Sequence, residues 1–148
     1  MYEDYSHQSV PSKKYRELIG TAVCVFNSNN GFIIENILRI DNDKTYNWFE
    51  LTDRTSGRLS KPIKETITKA SSDSIANLFE ELVEIRNRII HSYRITASEA
   101  MSSDNDDQIL ATKHKNSGTQ EIITEEYIMN FIRKNDELSS KLHSFRGY

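Results

Sequence analysis

The chain has 148 residues, enough for one domain around a single hydrophobic core. Hydrophobic residues make up 36% and charged residues 28% of the sequence, as in soluble globular proteins, and no long apolar run predicts a membrane span. The formal net charge of −3 argues against a protein that coats nucleic acid broadly, so any such contact is expected to be local. A single cysteine excludes an intramolecular disulfide and a cysteine-based zinc cluster.

The first eleven residues are polar and acidic, and we expect residues 1–11 to be flexible. They lack the basic start and apolar stretch of a signal peptide. Cys24 lies in the apolar run TAVCVF and is expected to be a buried, inert thiol. These features predict a cytoplasmic protein without membrane contact.

Residues 13–41 form the first predicted helical region, with Ser12 as a candidate N-cap. Apolar residues recur here at three- and four-residue spacing, and the rhythm continues across NSNNG (27–31), where Asn30 stands in place of an apolar residue. The NSNNG segment is either a turn between two helices or part of one long helix that turns Asn30 inward. The unbroken phase favours the single long helix.

The segment TYNWFEL (45–51) is predicted to be a helical turn or a packing segment, with Trp48 and Phe49 in the core. After a loop, apolar spacing predicts a short helix from about Leu59, in which Pro62 is tolerated because it lies in the first turn. These elements are too short to define a fold class by themselves.

The strongest helical pattern covers residues 75–95, with 71–74 as its cap. The polar, acidic stretch 97–107 is expected to be a flexible loop. Two apolar stretches flanking Asn116-Ser117-Gly118 predict a β-hairpin over about 108–124. A last helix, starting after Thr124, runs nearly to the C-terminus. The chain is therefore predicted to be a single, mainly α domain over 1–148, a bundle of four to five helices with one small β-hairpin insertion.

The 75–95 helix has an unusual distribution of side chains on an ideal helical wheel. Its apolar stripe is wider than one neighbouring helix requires, which suggests packing against two partners or across a dimer. Arg86 lies inside this arc, where an unpaired guanidinium is unfavourable. Arg86 either pairs with a carboxylate of another helix, extends its head to water, or binds an anion.

Three polar side chains follow Arg86 on the same segment. Asn87 and His91 are four residues apart and share a helix face, and Tyr93 follows. An imidazole can take or give a proton near neutral pH, and a guanidinium can hold a phosphate. Asn87 could orient either group, while Tyr93 offers a hydroxyl or a stacking face. The alternative is a helix with a polar flank and an idle, exposed His91.

With the stretch RNRIIHSY (86–93), the chain resembles the HEPN superfamily of small helical-bundle domains. Many of these domains are metal-independent ribonucleases with an arginine, four to six residues, and a histidine. A subset in toxin–antitoxin systems has Arg, four residues, His, any residue and Tyr, which this stretch satisfies, and a polar residue after the arginine is also common. The hairpin at 108–124 has no counterpart that we can assign.

The resemblance implies a homodimer in which Arg86 and His91 of both subunits line one composite cleft. It also implies cleavage of RNA by attack of the 2′-hydroxyl, leaving a 2′,3′-cyclic phosphate. His91 would be the general acid and base, Arg86 the phosphate clamp and Asn87 the orienting residue. In some HEPN toxins a partner antitoxin nucleotidylates the motif tyrosine, whose position Tyr93 matches. Asn30, facing inward near Arg86, is a further candidate supporting residue.

Four basic residues are candidates for contact with the RNA backbone: Arg88, Arg94, Lys113 and Lys115. The simpler interpretation of the hairpin cations is a solvated tip. His7, His114 and His143 lack metal-ligand spacing, so we expect no metal and no cofactor.

Two functions of different classes remain open from the sequence. The first is an HEPN-type endoribonuclease in a toxin–antitoxin or phage-defence setting, with RNA as substrate and a cognate antitoxin or regulatory protein as a partner. The second is a non-catalytic HEPN-like dimer that binds a protein partner. The acidic charge favours the second, and the complete motif favours the first, which we prefer.

Overall fold

A computed structural model describes residues 2–5, 7–96 and 108–147 of the chain. The loop expected at 97–107 lies outside the described residues. The helices are α1 (Lys13–Ile40), α2 (Trp48–Asp53), α3 (Ser60–Ile63), α4 (Ser74–Ile90) and α5 (Glu125–Arg146), and the strands are β1 (Tyr93–Thr96), β2 (Gln108–Lys113) and β3 (Gln120–Ile123). The predicted class, mainly α with a small β insertion, is confirmed. No helix within the described ranges is both long and apolar enough to cross a membrane.

The first helical region is one continuous helix of 28 residues, as favoured from the unbroken apolar phase. Its N-terminus is capped by Ser12, whose side chain accepts a hydrogen bond from the Tyr15 amide. The NSNNG segment forms no turn, because the buried residues on either side, Phe26 and Ile33, keep one face of the helix against the core. Within this segment the most buried asparagine is Asn29, which is 5% exposed, rather than Asn30.

The core is built where α1, α4 and α5 meet around one aromatic ring. The Phe26 ring of α1 lies 6.0 Å from that of Phe79 in α4 and 6.1 Å from that of Phe131 in α5, measured between centroids. All three rings are almost completely buried. Beside them, Asn29 donates to the Asn135 carbonyl at 2.8 Å, which satisfies a buried amide between α1 and α5.

Two predictions about buried residues are wrong. Cys24 is exposed, because it lies on the solvent side of α1 although its sequence neighbours are apolar. Trp48 is 44% and Phe49 is 81% exposed. The α2 helix is only six residues long and buries a single side chain, Leu51, so its two aromatic residues stay outside the core.

The α3 helix belongs to a longer helical segment of changing pitch. A 3-10 turn over Ser56–Leu59 precedes α3, and a π-helical turn over Lys64–Thr68 follows it. Pro62 lies in α3 and has no amide hydrogen to donate to the Arg58 carbonyl one turn earlier. Arg54 Nη1 donates to that carbonyl instead, at 3.4 Å.

The α4 helix ends five residues earlier than predicted, at Ile90, and the prediction of a helix to residue 95 is wrong. His91 is the C-cap, with φ −96° and ψ 22°, and its amide donates to the Asn87 carbonyl. The chain then enters β1, where Tyr93 pairs with Ala111 of β2. Pairing with a distant strand replaces the next helical turn.

The predicted hairpin exists as β2 and β3, and β1 joins it as a third antiparallel strand in the order β1-β2-β3. Gly118 allows the tight turn, with φ +70°, and donates to the His114 carbonyl at 2.8 Å. The sheet is attached to α1 through Tyr15, whose hydroxyl accepts from the Leu110 amide at 3.1 Å and donates to the Ile123 carbonyl. Burial raises the pKa of the Tyr15 hydroxyl.

Candidate functional site

Arg86 lies near the C-terminal end of α4, in the turn before the last, with its guanidinium turned into the bundle. Its Cζ atom is 5.1 Å from the centroid of the Phe26 ring, a distance typical of a cation–π contact. Within the described part of the chain, Arg86 has no carboxylate partner, and its buried Nε has no hydrogen-bond acceptor. Of the alternatives posed by the sequence, pairing with an acid from another helix is therefore not observed.

The two terminal nitrogens of Arg86 are less buried than Nε. They have no hydrogen-bond partner among the described residues either, yet they are not among the fully buried polar atoms. They therefore keep contact with solvent at the edge of the core. A guanidinium whose outer nitrogens are unoccupied can still donate to an anion.

Asn87 and His91 complete the end of α4. Asn87 is half-buried, and its carbonyl accepts from the His91 amide at 3.0 Å. The His91 side chain is exposed and makes no hydrogen bond within the described residues. Since His91 has left helical geometry, the helix face that the spacing predicted for Asn87 and His91 to share does not extend to His91. Within one chain, no hydrogen bond joins the described side chains of Arg86 and His91.

Tyr93 lies in β1 rather than on a helix face. Its hydroxyl donates to Gln120 Oε1 of β3 at 2.9 Å, and its side chain is 41% exposed. Ile90, the last residue of α4, is 50% exposed. The imidazole of His91 is thus flanked in sequence by two large, partly exposed apolar side chains.

Asn30 lies on α1, one helical turn after Phe26, and is half-buried. Its Oδ1 accepts from Ser56 Oγ at 2.9 Å. Arg86 covers the ring of Phe26, one turn before Asn30, but no hydrogen bond connects Asn30 with Arg86. Phe26 is one of the regularly spaced apolar residues of the first helix, and nothing in its spacing indicates the contact with Arg86.

Two of the four basic residues expected to contact RNA form hydrogen bonds with other residues of the chain. Arg88 donates from Nη2 to Glu84 at 2.7 Å and from Nη1 to the Lys113 carbonyl at 3.1 Å, which connects α4 to β2. Arg94 donates to the Ser9 carbonyl at 3.0 Å. The side chains of Lys113 and Lys115 are exposed.

Carboxylates reduce the positive charge around the hairpin. His114 contacts Glu121 at 2.7 Å across the two strands, and Glu84 lies beside Arg88. Burial raises the pKa of the nearby Tyr127 hydroxyl, and the charge of Glu121 raises it further. The hairpin and the adjacent face of α4 therefore carry mixed charges rather than a basic surface.

Among the described residues, no three histidine, cysteine or carboxylate side chains are grouped as metal ligands would be. Comparisons of the chain with protein-family models, with curated proteins and with solved structures find no match.

Proposed function

We propose that the protein is a metal-independent endoribonuclease of the HEPN type that acts as a dimer in a toxin–antitoxin or phage-defence setting. One observation carries the proposal: Arg86 has unoccupied outer nitrogens at the core edge and lies five residues before the exposed imidazole of His91. A phosphate-binding cation and a proton-transfer group near one helix end are two of the groups that RNA transesterification uses.

In the proposed reaction, one His91 imidazole removes the proton of an RNA 2′-hydroxyl. The 2′-oxygen attacks the adjacent phosphorus, the bond to the 5′-oxygen breaks, and a 2′,3′-cyclic phosphate forms. The leaving 5′-oxygen takes a proton from a second proton-transfer group, which acts as the acid. Arg86 holds the non-bridging oxygens, whose negative charge increases in the transition state.

Two copies of the chain would supply both proton-transfer groups. One chain contributes a single histidine to this helix end, whereas the reaction needs a base and an acid. The exposed apolar side chains of Ile90 and Tyr93 beside His91 are suited to contact with a second copy. The wide apolar arc of α4 is weaker support than expected, because Phe79 and Val83 are already buried within one chain.

The test is incubation of the purified protein with single-stranded RNA in the presence of a chelator, followed by analysis of the product ends. The proposal predicts 2′,3′-cyclic phosphate ends, and no cleavage of the matching DNA, which lacks the attacking hydroxyl. Equal cleavage of RNA and DNA would contradict the proposed attack by the 2′-oxygen.

A second function is favoured by the position of Arg86 over Phe26. There the guanidinium stabilises the aromatic core, which is a role that needs no substrate. The protein would then be a non-catalytic HEPN-like dimer that binds a protein or regulatory partner. This alternative predicts that RNA stays intact and that loss of Arg86 lowers stability of the dimer.

A further inference from the structure

An open, positively charged pocket of about 620 Å³ lies between α2 and the helical segment that contains α3. Four cations line it, Arg54, Arg58, Lys61 and Lys64, against one carboxylate, Glu65. In a chain with a net charge of −3, this is a local concentration of positive charge. It involves none of the residues that the sequence suggested for RNA contact.

The local sequence explains why these cations share one surface. Arg54, Arg58, Lys61 and Lys64 follow each other at spacings of four, three and three residues, and the last three lie on a continuous helical segment. At about 1.5 Å of rise per residue, Arg58 and Lys64 are about 9 Å apart along the axis. A row of this length matches successive phosphates of a chain better than one small anion.

The cations of the pocket are incompletely neutralised by the protein. Arg58 is exposed and its side chain has no hydrogen bond or ion pair among the described residues. Lys61 is 3.8 Å from Glu65, with 78% of the lysine side chain exposed. Such exposed pairs contribute little, and like charges three or four residues apart on a helix repel. Binding of a polyanion would relieve that repulsion.

Three carboxylates near the pocket compensate part of its charge, and one of them, Glu50, forms an ion pair with Arg54. Glu65 accepts a hydrogen bond from the Tyr46 hydroxyl. Glu80 of α4 accepts from Ser60 Oγ at 2.6 Å and lies 3.2 Å from Lys64. The hydrogen bond from Ser60, followed by that from Lys64, lowers the pKa of the Glu80 carboxyl. The positive charges of Arg58 and Lys61 are therefore the least neutralised by carboxylates in this pocket.

The segment that lines the pocket runs beside the middle of α4. Ser60 contacts Glu80, and a methyl group at Gly57 would lie 3.9 Å from Val83, one turn further along α4. Following the chain back from Ser60 through Gly57 therefore leads along α4 toward Asn87. Ser56 also contacts Asn30, which lies one turn from the ring that Arg86 covers.

We propose that this pocket is a binding site for the phosphate backbone of the RNA strand that the Arg86–His91 end of the molecule cleaves. The proposal rests on the proposed ribonuclease function for its ligand. Arg58 and Lys61 contact phosphates of that strand away from the scissile linkage, and they position the strand without taking part in proton transfer.

The experiment measures binding of a short, single-stranded 2′-O-methyl RNA by fluorescence anisotropy over a range of salt concentrations. Its blocked 2′-oxygen cannot attack phosphorus, so binding is read without cleavage. For single strands, the logarithm of the binding constant falls with the logarithm of salt concentration by about 0.7 for each phosphate contact. Arg58→Gln combined with Lys61→Gln should make this slope shallower by about 1.4 and weaken binding about tenfold at low salt.

The matched control removes two charges elsewhere. Lys13 and Lys14 are exposed at the start of α1, and Lys14 pairs only across the surface with Glu125. Lys13→Gln combined with Lys14→Gln should leave both affinity and salt slope close to those of the wild type. An equal loss of affinity in the control would mean a non-specific effect of net charge and would reject the pocket as an RNA-binding site.

The remaining outcomes separate this proposal from the proposed function. A wild-type salt slope in the Arg58/Lys61 variant would reject the pocket as an RNA-binding site even if the protein cleaves RNA. Binding that depends on Arg58 and Lys61 in a protein that cleaves no RNA keeps the pocket and rejects the ribonuclease. No binding of this RNA by the wild-type protein overturns the pocket as an RNA site and favours a protein partner.

Discussion

At the scale of single residues, Arg86 is held by weaker forces than a buried ion pair would supply. A cation over an aromatic ring contributes about 0.5–2 kcal/mol, depending on how completely it is desolvated. Against this stands the cost of burying Nε without an acceptor. The two effects are of similar size, so stability gives little reason for an arginine at this position.

Replacement of Arg86 by methionine tests that balance. Methionine keeps an apolar, polarisable contact with Phe26 and removes the unpaired cation. We expect the free energy of unfolding of Arg86→Met, measured by urea denaturation, to stay within about 1 kcal/mol of the wild type, while RNA cleavage is lost. A loss of more than about 3 kcal/mol would show that the arginine is a structural requirement, as the binding-module function predicts.

Tyr46 provides a pH-dependent prediction at the same scale. Burial, together with the hydrogen bond to Glu65 and the charge of Glu65, raises the pKa of Tyr46 to about 12. The folded state therefore holds this proton more tightly than the unfolded chain. The contribution to stability is fully present below the unfolded pKa of about 10 and is lost as the pH rises toward 12.

The measurement is an ultraviolet titration of tyrosinate in wild-type protein and in Tyr46→Phe. The difference between the two curves should have its midpoint near pH 12. A midpoint near the ordinary tyrosine value would mean that the contact with Glu65 is not maintained in solution.

At the scale of elements, the spacing of apolar residues predicted the helices well where no strand pairing competes with the helical pattern. The phase through NSNNG correctly indicated one long α1, and Thr124 correctly marked the start of α5. The same spacing failed at the end of α4, because Tyr93 and Ile95 continue both a helical and a strand pattern. What decides between them is pairing of Arg94 with Leu110, sixteen residues away, which no local period contains.

The attachment of the sheet to α1 gives the element-scale prediction. Tyr15→Phe removes the hydroxyl between the Leu110 amide and the Ile123 carbonyl and leaves both groups without that partner. We expect the free energy of unfolding to fall by about 1–3 kcal/mol and hydrogen exchange of the Leu110 amide to accelerate.

Tyr127→Phe is the matched control for this change. Tyr127 is half-buried, and its hydroxyl has no hydrogen bond among the described residues. Its replacement should cost less than about 0.5 kcal/mol. Equal effects of the two substitutions would show that the Tyr15 hydroxyl does not hold the sheet.

At the scale of the whole molecule, part of the candidate site could be predicted and part could not. Arg86, Asn87 and His91 lie within six consecutive residues, so the motif can be recognised without knowledge of the fold. The contact between Arg86 and Phe26 joins residues sixty positions apart and depends on the crossing of α1 and α4. The spacing from Arg54 to Lys64 was visible, but only the helical segment shows that these cations share one surface.

The proposed composite site requires association of two chains. We expect sedimentation velocity to show a dimer at tens of micromolar protein, and Ile90→Glu to shift it toward monomer, since a carboxylate would then replace a half-exposed apolar side chain beside His91. A wild-type monomer under these conditions would contradict a cleft shared by two subunits.

The most direct test of the account compares RNA cleavage by the wild type, His91→Ala and His143→Ala in the presence of chelator. His143 is a second exposed histidine, on α5, and serves as the matched control. Loss of the proton-transfer group should lower the cleavage rate by about 10²–10⁴ in His91→Ala, with unchanged thermal unfolding, while His143→Ala cleaves at the wild-type rate. Cleavage by His91→Ala at the wild-type rate, or no cleavage by any of the three proteins, would contradict the assignment.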